Sequence, residues 1–298
     1  MINPEKFEEK SDPIKKFNDF KIKLAANSLY LPNYKELKEA FSLLDSSDME
    51  KYDMETALSH LFVGKDLKNT PFEIWTKEYV EQLSYYLIER LKALKENDPN
   101  TQNTVLEVGA RDGRLSHFLK NITRKINSFK DSGLDFVATD NPEKYKKDWT
   151  ILPNIPLEKI DYKDAIEKFK PTLVICSWMP ENEDWTEFFR SKPFIKEYIL
   201  VGNIDKYGDF EKTWGGREIV NLLGKAFLTT ANKNIPNEVM DKIKKLPFYK
   251  DGFDLYSLKR LESYQVDHST YFYTKPLDKS EWKYSYARSV SFRRRDIQ

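Results

Sequence analysis

Two hydrophobic rhythms divide this chain. Between about residues 30 and 97 the apolar positions recur at helical spacing, as in Leu37, Ala40, Phe41 and Leu44, and again in Val80, Leu83, Leu87, Leu91 and Leu94. From Thr104 onward, short apolar runs take over: Val105, Leu106 and Val108; Leu134 to Asp140; Thr172 to Ser177; and Glu197 to Gly202. Each is short enough for a buried strand, and helical patterns separate them. The clearest is the stripe Leu115, Phe118, Leu119, Ile122, Ile126 and Phe129, followed by Asp164 to Lys170 and Asp184 to Arg190. Strands alternating with helices imply right-handed crossovers and a mostly parallel sheet. The last forty or so residues change character. Lys259 to Asp267, Thr270 to Lys275 and Tyr284 to Arg293 alternate partially and are rich in Tyr, Val, Ser and Thr, which predicts antiparallel strands closing one edge.

Start and stop signals refine the boundaries. Asn33 with Glu36, and Ser47 with Glu50, have capping-box spacing, and Thr70-Pro71-Phe72-Glu73 supplies a third helix start with proline in the first turn. The second of these helices should run to about His60. The helical run then ends near Asn97-Asp98-Pro99-Asn100. A loop rich in Gly and Trp (Gly208, Trp214, Gly215, Gly216) leads into a further helix with Ile219, Leu222, Leu223 and Phe227. The expected organisation is an N-terminal arm and helical cap over residues 1–99, then an α/β, Rossmann-like doubly wound domain over 100–298 with antiparallel C-terminal edge strands.

Composition narrows the function classes. Of the residues, 40% are hydrophobic and 33% charged, as in ordinary globular proteins. No apolar run approaches a membrane span, and Met1 to Lys10 lacks a signal-peptide core, so a cytoplasmic, non-membrane protein is expected. The single cysteine, Cys176, excludes an intramolecular disulfide and a multi-cysteine metal site. Three scattered histidines, His60, His117 and His268, give no metal pattern. Net charge is +1, so no global field demands nucleic acid. Residues 1–100 carry 15 Lys/Arg against 19 Asp/Glu, and the rest 34 against 29, with a basic cluster at Arg293, Arg294 and Arg295. A charged edge strand or solvated terminus is the favoured reading of that cluster, with a patch for an anionic partner as the alternative.

The chemistry concentrates at Thr104 to Lys120, where a buried strand turns through Gly109 and Gly113 into a helix N-terminus. Such a unit presents backbone N–H donors to a ligand that comes close to the chain. A dinucleotide fingerprint requires G-x-G-x-x-G, whereas the order here is Glu107-x-Gly109-x-x-x-Gly113 with Arg111 two residues past the first glycine. Glu107, an acid within a buried strand, is costly without a ligand or backbone donors and suits a cationic amino group better than a diphosphate. Asp112 and Arg111 are adjacent and have the makings of a local ion pair. Asp140, ending the second strand, reads as a ligand contact or a turn acid before Asn141-Pro142. Asp161 fits a helix N-cap or a ligand contact equally.

These residues resemble the first motif of the class I S-adenosylmethionine-dependent methyltransferases, an acid, a spacer and a Gly-rich turn, with Arg111 where that family has its middle glycine. The resemblance extends in order over roughly residues 100–295. It implies S-adenosylmethionine as cofactor, contacted by Glu107, Gly109, Arg111, Gly113, Asp140, Asp161, Tyr162 and Ser177. The acid Asp140 would take the ribose hydroxyls, and Asp161-Tyr162 the adenine. Ser177-Trp178-Met179-Pro180 falls where the family lines its methyl-transfer pocket, and the reversed last strand of the family agrees with the C-terminal edge. A side chain at Arg111 must point away from the cofactor or cover it.

On the acceptor side, Trp178, Glu181 and Trp185 are the expected catalytic residues. Aromatic rings exclude water and attract a methylsulfonium, and Glu181, Glu183 or Asp184 can receive a cationic acceptor or a proton. The same loop reads alternatively as solvated, with Asp184 as a cap and Trp185 in the core. The methyl acceptor is not legible: a small molecule or protein is favoured, with nucleic acid as a further option. Two rival functions are a non-catalytic scaffold that keeps the fold with Arg111 filling the site, and a nucleotide-dependent oxidoreductase, which the glycine pattern disfavours.

Overall fold

The computed structural model describes residues 13–26, 29–45, 73–126, 133–141, 143, 154–204, 207–216, 219, 222, 229–231, 235–266 and 287–295. Expectations at Ser47–His60, Thr70–Pro71, Leu223, Phe227, His268 and Thr270–Lys275 lie outside these residues. A seven-stranded sheet organises the rest, in the order β3-β2-β1-β4-β5-β7-β6. Its strands are β1 Thr104–Val108, β2 Asp135–Asp140, β3 Glu158–Lys159, β4 Leu173–Ser177, β5 Glu197–Asn203, β6 Phe253–Ser257 and β7 Ala287–Arg294. β1 to β5 pair in parallel, and β7 runs antiparallel to both β5 and β6. This is the mostly parallel, edge-reversed Rossmann-like sheet that the alternating pattern predicts.

Alternation along β1 decides which side chains reach which face. Leu106 and Val108 enter one core with Val174, Cys176, Tyr198 and Leu200, covered by Ile166 and Phe189. Val105 enters the other with Ile175, Ile199 and Val201. Glu107 shares the face of Val105. That second core is closed by two helices, α3 (Lys77–Asn97) and α4 (Arg114–Thr123), through Leu83, Leu87, Leu91, Leu115 and Leu119. The apolar stripe of α3 thus shares one hydrophobic core with the sheet.

Ahead of α3 lie α1 (Pro13–Ala26) and α2 (Tyr34–Asp45). Asn33 caps α2 as its spacing predicts, its Oδ1 accepting from Glu36 N at 2.8 Å. The reciprocal half of the capping box is absent, since the Glu36 carboxylate pairs with Lys23 at 2.8 Å. α3 starts at Thr76, whose hydroxyl accepts from Tyr79 N at 3.2 Å. Glu73 precedes it in extended chain, with Ile74 N donating to Val266 O at 2.9 Å.

The C-terminal edge needs one correction. Lys259 to Val266 is not a strand: Lys259–Glu262 is a short helix that buries Leu258 and Leu261, three residues apart. The strand precedes it, as β6. No helix among the described residues is long and apolar enough to cross a membrane.

Candidate functional site

A cleft of about 370 Å³ opens at the carboxyl ends of β1, β2 and β4, where open α/β sheets bind ligands. This volume lies within the roughly 300–1,000 Å³ typical of small-molecule sites. Its lining divides into two halves. Glu107, Gly109, Ala110, Arg111, Asp112, Arg114, Leu115 and Asp140 belong to the β1–α4 turn and the end of β2. Ser177, Trp178, Pro180, Glu181, Trp185 and Tyr207 follow β4 and β5, joined by Glu73 and Trp75 from the segment before α3.

The turn takes three left-handed residues in alternation: Gly109 (φ 65°), Arg111 (φ 56°) and Gly113 (φ 73°). Two are glycines for packing reasons visible in the fold. A Cβ on Gly109 would stand 3.0 Å from Cζ3 of Trp185, and one on Gly113 3.0 Å from Cγ2 of Ile155. The close approach at Gly109 is thus made by a tryptophan of the protein itself. Arg111 holds the same backbone region without glycine, at a cost of roughly 1–2 kcal/mol. Its amide donates to Asp140 Oδ2 at 2.6 Å, which fixes the turn against β2. Its side chain lines the cleft, and burial lowers the pKa of its guanidinium. The ion pair expected with Asp112 goes elsewhere, because Asp112 accepts from Arg114 Nε at 2.8 Å and from its amide at 3.1 Å.

Glu107 is 2% exposed and points along the face of α4. Its Oε2 accepts from Ser116 N at 3.0 Å and Ser116 Oγ at 2.6 Å, in the first turn of that helix. Those two donors do not offset its desolvation, which pushes its pKa up to about 8. Asp140, at the end of β2, is likewise raised by burial to about 6, with the Arg111 amide acting in the opposite direction. Two carboxyl groups raised by burial in spite of their hydrogen bonds, in one cleft, mark a site suited to a cationic or hydrogen-bond-donating ligand.

Across the cleft, β4 ends at Ser177, whose Oγ is buried without a hydrogen-bond partner among the described residues. Trp178 follows in a left-handed conformation (φ 58°), an outlier for a bulky residue. Contacts hold it there: its amide donates to Val201 O at 2.7 Å, its Nε1 to Glu73 Oε2 at 3.1 Å, and its ring meets Tyr207 edge-on at 4.8 Å. Trp185 is 4% exposed, with Nε1 donating to Glu183 Oε2 at 2.6 Å. Asp184 stands just before Trp185, the N-cap of the next helix, α6 (Thr186–Ser191), and accepts from Thr186 N at 3.1 Å. Of the three acids in this loop, Glu181 alone lines the cleft.

Asp161 and Tyr162 are placed one layer back. Asp161 is the N-cap of α5 (Tyr162–Phe169), its carboxylate accepting from Lys163 N at 3.1 Å. Tyr162 stacks on Trp185 at 4.4 Å and 10°, and reaches the cleft only through that ring. Glu73, Trp75 and Tyr207 were not singled out by the sequence pattern. Glu73 sat inside a helix-start signal, and nothing local links it to Trp178, 105 residues away. Cys176 is buried in β4, and burial raises its thiol pKa well above the ordinary value, so it is a core residue and no nucleophile.

No family model matches the chain, and no curated protein matches it. Solved structures do. Its likeness is to methyltransferases. The DszA carbon methyltransferase aligns at 11% identity and TM-score 0.37, over 80% of this chain and 60% of that one. The 23S rRNA methyltransferase ErmE aligns at 15% and 0.27, over 70% and 68%. The plantazolicin methyltransferase BpumL, in complex with SAH, aligns at 10% and 0.28, over 95% and 98%. The chain thus spans about 60% of the first of these.

Proposed function

We propose that the protein is an S-adenosylmethionine-dependent methyltransferase. The observation that carries this reading is the pair of buried, under-compensated carboxyl groups, Glu107 and Asp140, beside a wall of tryptophans. The residues fit such a cofactor: Asp140 would accept from ribose hydroxyls, and Glu107 would face a cationic amino group. When bound, the cofactor supplies an activated methyl group on a sulfonium. The chain's own work is positioning and drying the site. Trp178 and Trp185 exclude water and present ring faces to positive charge, and Glu181, which is exposed, accepts a proton and passes it to solvent. Asp161 and Tyr162 act through Trp185, by fixing the helix and ring behind it.

Five acids (Glu73, Glu107, Asp112, Asp140, Glu181) against two arginines line the cleft. That balance disfavours a dinucleotide diphosphate, and with it an oxidoreductase. The non-catalytic reading has one observation in its favour: Arg111 lines the cleft and Trp185 presses on Gly109. Titration calorimetry on the full chain tests both. Binding of S-adenosylmethionine and its demethylated product SAH supports the methyltransferase, and failure of both to bind supports the scaffold.

A further inference from the structure

Resting on that reading, the second half of the cleft narrows the acceptor. The sheet order puts β2 and β5 on opposite sides of the β1–β4 pair. Asp140 and the glycine turn therefore serve one flank, and the loops after β4 and β5 the other. Besides Trp185, which presses on Gly109, that second flank carries three rings, Trp75, Trp178 and Tyr207, and two acids, Glu73 and Glu181. Both arginines of the cleft lie on the first flank, where Arg114 is engaged by Asp112 and Arg111 faces Asp112 and Asp140.

This flank is built. Glu73 is 4% exposed, and its Oε2 accepts from Trp178 Nε1 at 3.1 Å and from Gln265 Nε2 at 3.3 Å. Gln265 in turn accepts from Ser289 Oγ at 3.0 Å, and Ser289 is hydrogen-bonded to Tyr79 at 2.9 Å. A relay of buried polar groups thus fixes the carboxyl group and, through it, a tryptophan held in the left-handed region. Gly208 N donates to Met179 O and to Pro180 O, both at 3.2 Å, which ties the Tyr207 loop to that of Glu181. Ser177, 8% exposed, lines the same cleft, and its buried Oγ has no hydrogen-bond partner among the described residues.

We infer that the methyl acceptor is a small primary amine, received in its cationic form between these rings and the carboxyl groups of Glu73 and Glu181. Rings that present their faces to an organic cation, with acids beside them, are the chemistry of ammonium recognition. A carboxylate or phosphate ester would meet two acids and no free arginine on this flank. Ser177 Oγ supplies an acceptor for one ammonium N–H. For transfer the amine loses one proton, to Glu181 and on to solvent. Its lone pair then forms the N–C bond as the S–C bond of the sulfonium breaks, leaving that pair on sulfur and an N-methylammonium product.

The test uses the full chain, first titrated with SAH by calorimetry and then, SAH-loaded, with butylamine and phenethylamine against butanol and phenylethanol. Tryptophan fluorescence and heat report binding. The expected result is saturable amine binding about tenfold tighter than that of each matched alcohol. In SAH-loaded Glu181→Gln that preference should fall several-fold, and in Glu73→Gln the fluorescence response of Trp178 should change as well. If Glu73→Gln fails to fold, Glu181→Gln, at an exposed residue, carries the test alone. SAH binding with no amine preference, or methylation of lysine peptides but of neither free amine, overturns this inference and leaves the methyltransferase reading standing. Absence of SAH binding overturns both.

Discussion

Two buried glutamates on the same sheet have opposite surroundings. Glu197, at the entry end of β5, is fully buried yet surrounded by compensation: Arg90 Nε at 2.7 Å, Ser291 Oγ at 2.6 Å, Arg293 Nε at 3.7 Å and the Tyr86 hydroxyl. Glu107, near the exit end of β1, has a helix amide and one hydroxyl but no ion pair among the described residues. The first carboxylate is supplied by the fold with everything its charge needs. The second is supplied with acceptable partners for burial and a deficit of positive charge facing a cleft. A buried acid that is complete reads as architecture, and one left short reads as a place for a ligand.

Substitutions break this comparison in order of effect. Glu197→Ala should cost about 3–5 kcal/mol, because it strands two partly buried arginines. Urea denaturation would measure it, and a loss within surface-mutation range would contradict the architectural role. Asp140→Ala should weaken SAH binding by about tenfold or more, the size of a charged hydrogen-bond set removed from a ligand. Unchanged affinity in calorimetry would remove Asp140 from the cofactor site. In the wild type, SAH affinity should rise as pH increases through about 6, where Asp140 becomes the better acceptor, and Asp140→Asn should flatten that rise.

Glu107→Gln separates stability from binding. The Glu107 carboxyl is raised from its ordinary 4.5 to about 8, so its contribution is fully present at low pH. Between those values the folded state holds a proton the unfolded chain has released, so stability should decline as pH rises through about 8. Glutamine, always neutral, should remove that decline while weakening the cofactor. Thermal melts across pH in the absence of ligand would show it, and an unaltered profile would reassign the titration. The smallest effect is expected from Arg111→Gly, which relieves the left-handed strain and should change stability by only about 1 kcal/mol or less. A large gain in SAH affinity there would mean that Arg111 plugs the site.

Much of the first half of the cleft was legible because it is local. The strand, the two glycines and the helix stripe lie within Thr104 to Lys120, and an acid inside an apolar run stands out against its neighbours. The mostly parallel sheet followed from apolar runs alternating with helical stripes. The second half is assembled from distant segments. Glu73 meets Trp178 and Gln265 across 105 and 192 residues, pairings that no local spacing encodes. Short-range competition also misled at two places. Asp112 pairs with Arg114, two residues on, because its carboxylate turns back to the helix N-terminus. Lys259 to Glu262 coils because Leu258 and Leu261 both reach the core at helical spacing. Asp161 was balanced between two roles, and its backbone position at the start of α5 places it as the cap.

We propose that an adenosyl sulfonium completes the electrostatics of Glu107 and Asp140. Calorimetry of the full chain with S-adenosylmethionine, SAH and NAD addresses it most directly. Saturable binding of the first two, abolished or strongly weakened in Asp140→Ala, is the predicted result. Binding of NAD alone, or of none of the three, would contradict it.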